Sequence, residues 1–366
     1  MVKPKVLILG GCGFIGRNFV THLLDNNIAS SITVVDKVPP QVAWLNEIHN
    51  DSFKNDLVHF KSANLINPES CKNAFSLSDD SIWDLVVNCA GETKASQTDP
   101  VYKEGILKLS LNCAKQAALQ NVGRYIELSS GNVSSSEKTP HKEDDALEPW
   151  GFVSKWKLEV EKELADIPNL RYTVIRLPLV YGIGDKNYIM PRILAAAIYK
   201  ELNKVMKLLW NEALKMQTVH VEDVCRAILF LYEKENTIGN VYNLVDDGDT
   251  TQGLISNILA ELFDVKVDYY GKIVSACVDI ESAVEEANDR HLVPWAEACR
   301  RDHIKNTPLT PHMDPSLLQN KHLNLDGSKL KNLGFTLNIP KPTLDKFKEI
   351  VDDYVEMKVF PVSLAS

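Results

Sequence analysis

The stretch "KVLILGGCGFIG" at residues 5–16 decides how the rest of the chain is read. Val6 to Leu9 form an unbroken apolar run, as a strand covered on both faces of a sheet requires. Glycines follow at 10, 13 and 16, and the apolar spacing then becomes helical over about 14–26. Glycine is needed where backbone passes close to a pyrophosphate and where a helix packs tightly against a strand. The helix start presents unpaired N–H groups and the positive end of its dipole to a phosphate. Gly10, Gly13, Phe14, Ile15 and Gly16 are therefore the expected phosphate-side contacts of a dinucleotide.

Working outward, "ITVVD" (32–36) reads as the second strand and ends on Asp36, 20 residues after Gly16. An acid at that place accepts hydrogen bonds from both ribose hydroxyls and repels a 2′-phosphate, which favours NAD over NADP. Lys37 beside it weakens that preference. Further strands are expected at 57–60, 84–90, 124–130 and 172–177, with helices at about 102–121 and 152–165. Such alternation predicts a Rossmann-type α/β fold, a doubly wound parallel sheet. Beyond residue 185 the pattern loosens. Residues 188–214 read as helical, 218–233 as a short strand and then a helix, and 241–245 as another strand. From 247 to 345 a smaller, helix-rich region is expected, with loops at 306–315 and 338–343. The expected division is an NAD-binding domain of residues 1–185 plus 217–246 and a C-terminal substrate-binding lobe of 186–216 plus 247–366.

Composition narrows the partners. The net charge of −9 is spread along the chain, which argues against a nucleic-acid partner and against an anionic membrane surface. No apolar run approaches the roughly 18–20 residues of a membrane span. Seven cysteines, an odd number with scattered spacing, read as reduced thiols in a cytoplasmic compartment rather than a disulfide framework. Cys299 and His303, flanked by His291 and His312, read as surface helix and loop rather than as zinc ligands, and no metal is expected.

Several motifs in order resemble the extended short-chain dehydrogenase/reductase family, in its NAD-dependent epimerase/dehydratase branch. "LGGCGFIG" (9–16) resembles the cofactor turn, and "ANL" (63–65) the adenine-contacting segment, with Asn64 where aspartate is usual. "NCAGETKASQTDP" (88–100) is similar to the motif after the fourth strand, "ELSSGNVSSS" (127–136) to the strand with the catalytic hydroxyl, and "RLPLVYGIGD" (176–185) to the segment beside the nicotinamide. The resemblance covers residues 1 to about 260. It implies cofactor contacts from Asn64, Leu65, Cys89, Ala90, Gly91, Thr93, Lys157 and Pro178. It implies a small-molecule substrate and a homodimer built on the helices at 102–121 and 152–165. It also implies that Ser130 hydrogen-bonds the substrate oxygen.

The family's proton-donating tyrosine has no counterpart. In "EPWGFVSKWKLEVEKEL" (148–164), matching Lys157 to the ribose-holding lysine puts Val153 in the tyrosine position. Matching Lys155 instead puts Gly151 there, and matching "PWG" puts Trp150 there. The first register is preferred, because Val153, Trp156, Val160 and Leu164 form an apolar stripe that turns this helix inward. None of the three substitutes ionises near neutral pH. General acid–base catalysis is worth about 10²–10⁴-fold, so the loss is severe. Glu92 is the first-choice replacement, ahead of Lys94, Glu127, Tyr181 and His220. Two functions stay open: a redox enzyme, epimerase or dehydratase with altered proton transfer, and a non-catalytic NAD-binding sensor or scaffold.

Overall fold

Continuously apolar runs become a parallel sheet whose strand ends gather the residues of interest. A computed structural model of the chain describes residues 3–77 and 81–365. The chain divides into two compact units: Met1–Pro178 with Val221–Val245 and Leu325–Asn338, and Leu179–His220 with Asp246–Asn324 and Ile339–Ser366.

In the first unit the strands are β1 (Lys5–Leu9), β2 (Ser31–Asp36), β3 (Val58–Ser62), β4 (Leu85–Asn88), β5 (Arg124–Ser130) and β6 (Tyr172–Leu177), joined by Asn240–Asn243. All pair in parallel, with β3, β2, β1, β4, β5, β6 and Asn240–Asn243 side by side. The chain runs outward from β1 in one direction and resumes at β4 in the other. The crevice at the carboxyl ends of β1 and β4 is therefore the switch point where doubly wound sheets bind ligands. Four residues of β1, Val6 to Leu9, are fully buried, which is what their unbroken apolar run requires.

The covering helices are α1 (Phe14–Asp25), α2 (Glu47–Phe53), α3 (Pro68–Phe75), α4 (Asp99–Tyr102), α5 (Leu109–Leu119) and α6 (Phe152–Ala165). Neither α2 nor α3 was expected. At seven and eight residues they are too short to show periodicity. Their caps do show in the sequence: Asn46 Oδ1 accepts from the His49 N–H, and Asn67 Oδ1 accepts from the Ser70 N–H ahead of Pro68. The expected helix over 102–121 starts earlier and is interrupted. Between α4 and α5 the residues Lys103–Lys108 are π-helical. There the Gly105 carbonyl turns aside and accepts from the Glu92 N–H at 3.0 Å. A Cβ on Gly105 would lie 2.6 Å from that of Glu92, so glycine is what lets the segment after β4 approach so closely.

In the second unit the expected helix over 188–214 is too long. It runs from Met190 to Glu201, and Asn203 then takes a left-handed φ of 50°. Met206–Leu208 is a strand, paired in parallel with Val267–Tyr269. The alternation in "MKL", buried Met206 beside exposed Lys207, is a strand's period rather than a helix's. Further helices follow at Gln252–Phe263, Ile280–Arg301 and Leu344–Glu356. The carboxylate of Asp185 accepts from the N–H groups of Asn187, Tyr188, Ile189 and Met190, capping the first helix of this unit. Burial nevertheless raises its pKa to about 6. Among the described residues, no helix is long and apolar enough to cross a membrane.

Candidate functional site

The turn after β1 is fixed by sterics at two glycines. Gly10 has φ +73°, and a Cβ there would lie 2.7 Å from the backbone of Ala90, after β4. A Cβ on Gly16 would meet Gly11 Cα at 2.5 Å. No real side chain tolerates either approach, so this tight turn onto α1 is written into the glycines. Gly13 caps α1 without a side-chain hydrogen bond, and Phe14 and Ile15 are half-buried in its first turn.

Asp36 closes the turn from the β2 side. One carboxylate oxygen accepts from the Cys12 N–H and the other from the Val38 N–H, both at 3.0 Å. A carboxylate has about four lone-pair sites, so two remain for hydroxyl donors. Beneath the turn, buried Arg17 donates to the carbonyls of Cys12, Gly13, Ala43 and Trp44. Sequence reasoning passed over Arg17, and its arginine directly after the last glycine of the turn was the available signal. Burial, followed by the charge of Asp36, pushes the Cys12 thiol up to about 12.

After β3, Asn64 is exposed and Leu65 buried. Asn64 Oδ1 accepts from the Ile66 N–H, and the Leu65 carbonyl accepts from Asn112 Nδ2. Asn64 also lines a cavity of about 810 Å³ with Lys61, Ser62, Asn67 and Ser70. After β4, Cys89, Ala90 and Gly91 are half-buried and Thr93 is exposed. Glu92 faces Lys37, with 3.8 Å between the ammonium and the carboxylate, and it accepts from the Lys94 N–H. The ion pair joins the ends of β2 and β4 and so crosses the end of β1, which lies between them.

The other end of the crevice is built on β5 and α6. Residues 127 and 129 of β5 face α5 and α6. Glu127, fully buried, accepts from Asn88 Nδ2 at 2.7 Å, Ser110 Oγ at 3.1 Å, Tyr125 Oη at 2.9 Å and Lys157 Nζ at 3.1 Å. Two positions on, Ser129 donates to Glu161 at 2.5 Å, and Arg176 binds the same carboxylate at 2.7 Å. This second buried network ties α6 to β5 and β6. It thereby fixes the rotation of the helix that carries Lys157.

The two lysines of α6 part company. Lys155 is exposed, paired with Asp99 and stacked 4.5 Å from the Trp156 ring centroid. Lys157 is buried and donates to Glu127 and to the Leu128 carbonyl at 2.6 Å. An ammonium has three donors, so one remains. A Cβ on Gly91 would sit 3.9 Å from Lys157 Nζ, which places the ammonium beside the loop after β4. Ser130 Oγ accepts from the Asn132 N–H at 3.2 Å, which leaves its own proton to donate. Val153 is half-buried one turn before Lys157, Trp150 donates its indole N–H to the Ser134 carbonyl, and Pro178 is buried after β6.

Three buried tyrosines have other partners. The Tyr125 hydroxyl is buried and bound to Glu127, and burial raises its pKa well above the ordinary value. Tyr102 donates to the Lys94 carbonyl. In the second unit Tyr181 is buried, with the rings of His220 and Phe347 set edge-on against it at 5.1 and 5.7 Å.

This arrangement fits a dinucleotide. It offers backbone cleared of side chains where a pyrophosphate needs room, an acceptor in Asp36, and spare donors on Lys157 and Ser130. Comparisons with known proteins agree. A profile of the NAD dependent epimerase/dehydratase family matches residues 6–244. Vestitone reductase of Medicago sativa is 28% identical over 271 residues, which is 66% of this chain and 76% of that protein. UDP-glucose 4-epimerase of Thermotoga maritima, solved with UDP-glucose, superposes with a TM-score of 0.68 at 18% identity, covering 96% of this chain and 99% of that one. DesIV, a dTDP-glucose 4,6-dehydratase of Streptomyces venezuelae solved with NAD and TYD bound, gives 0.69 at 17% identity, covering 96% and 97%. At those identities the structural likeness carries the fold and nothing finer. The glycine turn, the strand order and a family profile spanning most of the chain together make this protein a member of the NAD-dependent epimerase/dehydratase family, with the extended short-chain dehydrogenase/reductase fold.

Proposed function

We propose that the protein binds NAD, in preference to NADP, along the carboxyl ends of β1, β2, β4 and β5, and uses it on a small hydroxyl or carbonyl substrate. The reading rests on one observation. The glycine turn, Asp36, Lys157 and Ser130 all lie at the same edge of the sheet, each polar group with hydrogen-bonding capacity to spare. The turn and the start of α1 hold the pyrophosphate. Asp36 takes the adenosine ribose, with Asn64 and Leu65 near the base. Lys157 gives its third proton to the nicotinamide ribose. Cys89, Ala90, Gly91, Thr93 and Pro178 line the cofactor's length. When bound, NAD supplies the hydride-accepting ring. Ser130 orients the substrate oxygen, and Glu92 carries the proton that a tyrosine would otherwise move. A homodimer through α4, α5 and α6 fits the exposed Val101, Leu119 and Phe152 on these helices. The seven unpaired cysteines suit a reducing, cytoplasmic compartment.

A second reading has its own support: NAD is held without turnover, as in a sensor or scaffold. Val153 supplies no proton, the charge of Lys157 is matched by Glu127, and Glu92 is engaged by Lys37. Titration calorimetry with NAD and NADP tests the shared part, and failure to bind either refutes both readings. Nicotinamide absorbance with a panel of sugar nucleotides, steroids and hydroxy acids then separates them. Turnover that is lost in Glu92→Gln supports the first reading. Tight NAD binding with no turnover across the panel supports the second.

A further inference from the structure

The family resemblance accounts for Lys157 but not for the group it is bonded to. Glu127 is fully buried on β5, and its two oxygens collect four donors: Asn88, Ser110, Tyr125 and Lys157. A carboxylate taken out of water needs donors for its lone pairs, and Glu127 has four. Lys157 is also buried, and the Leu128 carbonyl holds it from a second side. The two form an internal ion pair in a region of low dielectric, where charges act on their surroundings with little screening. Four fixed donors around one carboxylate leave Glu127 no freedom to move, so the lysine is held where the carboxylate puts it.

We propose that Glu127 is a positioning residue and built-in counter-ion: it fixes Lys157 and cancels its charge at the nicotinamide end of the crevice, so that oxidised NAD is not disfavoured there relative to NADH. The inference rests on the cofactor-binding reading above. Its physics is simple. The oxidised nicotinamide ring carries a positive charge and the reduced ring carries none. A lone ammonium beside the ring therefore penalises NAD⁺ selectively, and a neutral Glu127–Lys157 pair does not. The same neutrality makes sense of Val153. A compensated lysine has little power to ease a proton off a tyrosine, so a tyrosine at that place would gain little from its neighbour.

The test is the ratio of the dissociation constants of NAD⁺ and NADH, measured by titration calorimetry at pH 8. In Glu127→Gln the ratio is expected to rise about tenfold. In Lys157→Gln the carboxylate loses its counter-charge and keeps three donors, and the ratio is expected to fall by a similar factor. In the Glu127→Gln/Lys157→Gln double variant it returns to within about threefold of the parent, since both states are neutral. A merely structural role would weaken both ligands together and leave the ratio where it was. That outcome in a folded single variant overturns the proposal. Should neither single variant fold, the double variant decides, because it buries no charge. A ratio shifted strongly toward NAD⁺ in it would mean that the parent lysine acts as an uncompensated cation, and the proposal fails. Loss of the underlying reading looks different: the parent protein then binds neither form of the cofactor.

Discussion

The turn after β1 and the end of β5 lie at the same edge of one sheet, yet they are held together by different means. The turn is shaped by absence. Gly10 and Gly16 hold their places because no Cβ fits, and the polar work falls to backbone amides, one half-exposed carboxylate and the Arg17 guanidinium beneath them. The β5 end is shaped by buried charge. Glu127, Lys157, Glu161 and Arg176 are all buried, and each is held by named partners. Steric devices of the first kind recur with little change, because backbone geometry allows few solutions. Networks of the second kind can be rewired, provided every member stays paired. Val153, half-buried one turn before Lys157, lies in the second region, where a change of one side chain can be absorbed by its neighbours.

Four experiments probe that contrast. The largest effect on cofactor binding is expected at the turn. Gly16→Val drives a side chain into the Gly11 backbone, so it should abolish NAD binding in calorimetry and cost about 1–3 kcal/mol of stability in urea denaturation. Retained binding would mean that the turn is not the cofactor site. At the β5 end, Lys157→Gln strands a buried carboxylate and should destabilise the protein by about 3–5 kcal/mol. Most of that should return in Glu127→Gln/Lys157→Gln. If the double variant is no more stable than the single, the pair is not the unit described here. A milder change at the turn, Asp36→Asn, should weaken NAD roughly 10–100-fold, as expected for losing charge-assisted hydrogen bonds. It should narrow the gap between NAD and NADP, and an unchanged gap would remove Asp36 from the discrimination.

The smallest effect concerns the two thiols of the crevice. Burial raises Cys12 and Cys89 each to about 12, so at pH 8 only about one in 10⁴ is thiolate. Iodoacetamide at that pH, read out by peptide mass mapping, should label exposed Cys277 and spare both. Labelling of Cys12 as fast as Cys277 would show that the turn opens in solution.

Much of this was legible in the sequence, unevenly. Most of the strands from β1 to β6 follow from apolar runs that leave no face for water, β3 with its exposed His59 and Ser62 being the exception, and β5 and β6 have the expected bounds. Helix α6 likewise spans 152–165 as expected, although only Val160 and Leu164 of its apolar stripe are fully buried. The choice of Lys157 over Lys155 was argued from that stripe, and the structure turns Lys157 inward and Lys155 outward. The π-helical stretch at Lys103–Lys108 was not legible, because it answers to Glu92, which lies in another segment of the chain. Residues 202–214 were misread as helix. Their strand pairs with Val267–Tyr269, some sixty residues away, and local periodicity carries no trace of such a partner.

By itself the sequence determined the parallel sheet, the glycine turn and the acid that ends β2, since each is a local consequence of chain geometry and apolar spacing. Only the tertiary structure decided that Glu127 is the partner of Lys157. The two lie 30 positions apart in the chain, and what joins them is the cost of leaving either charge alone in a place without water.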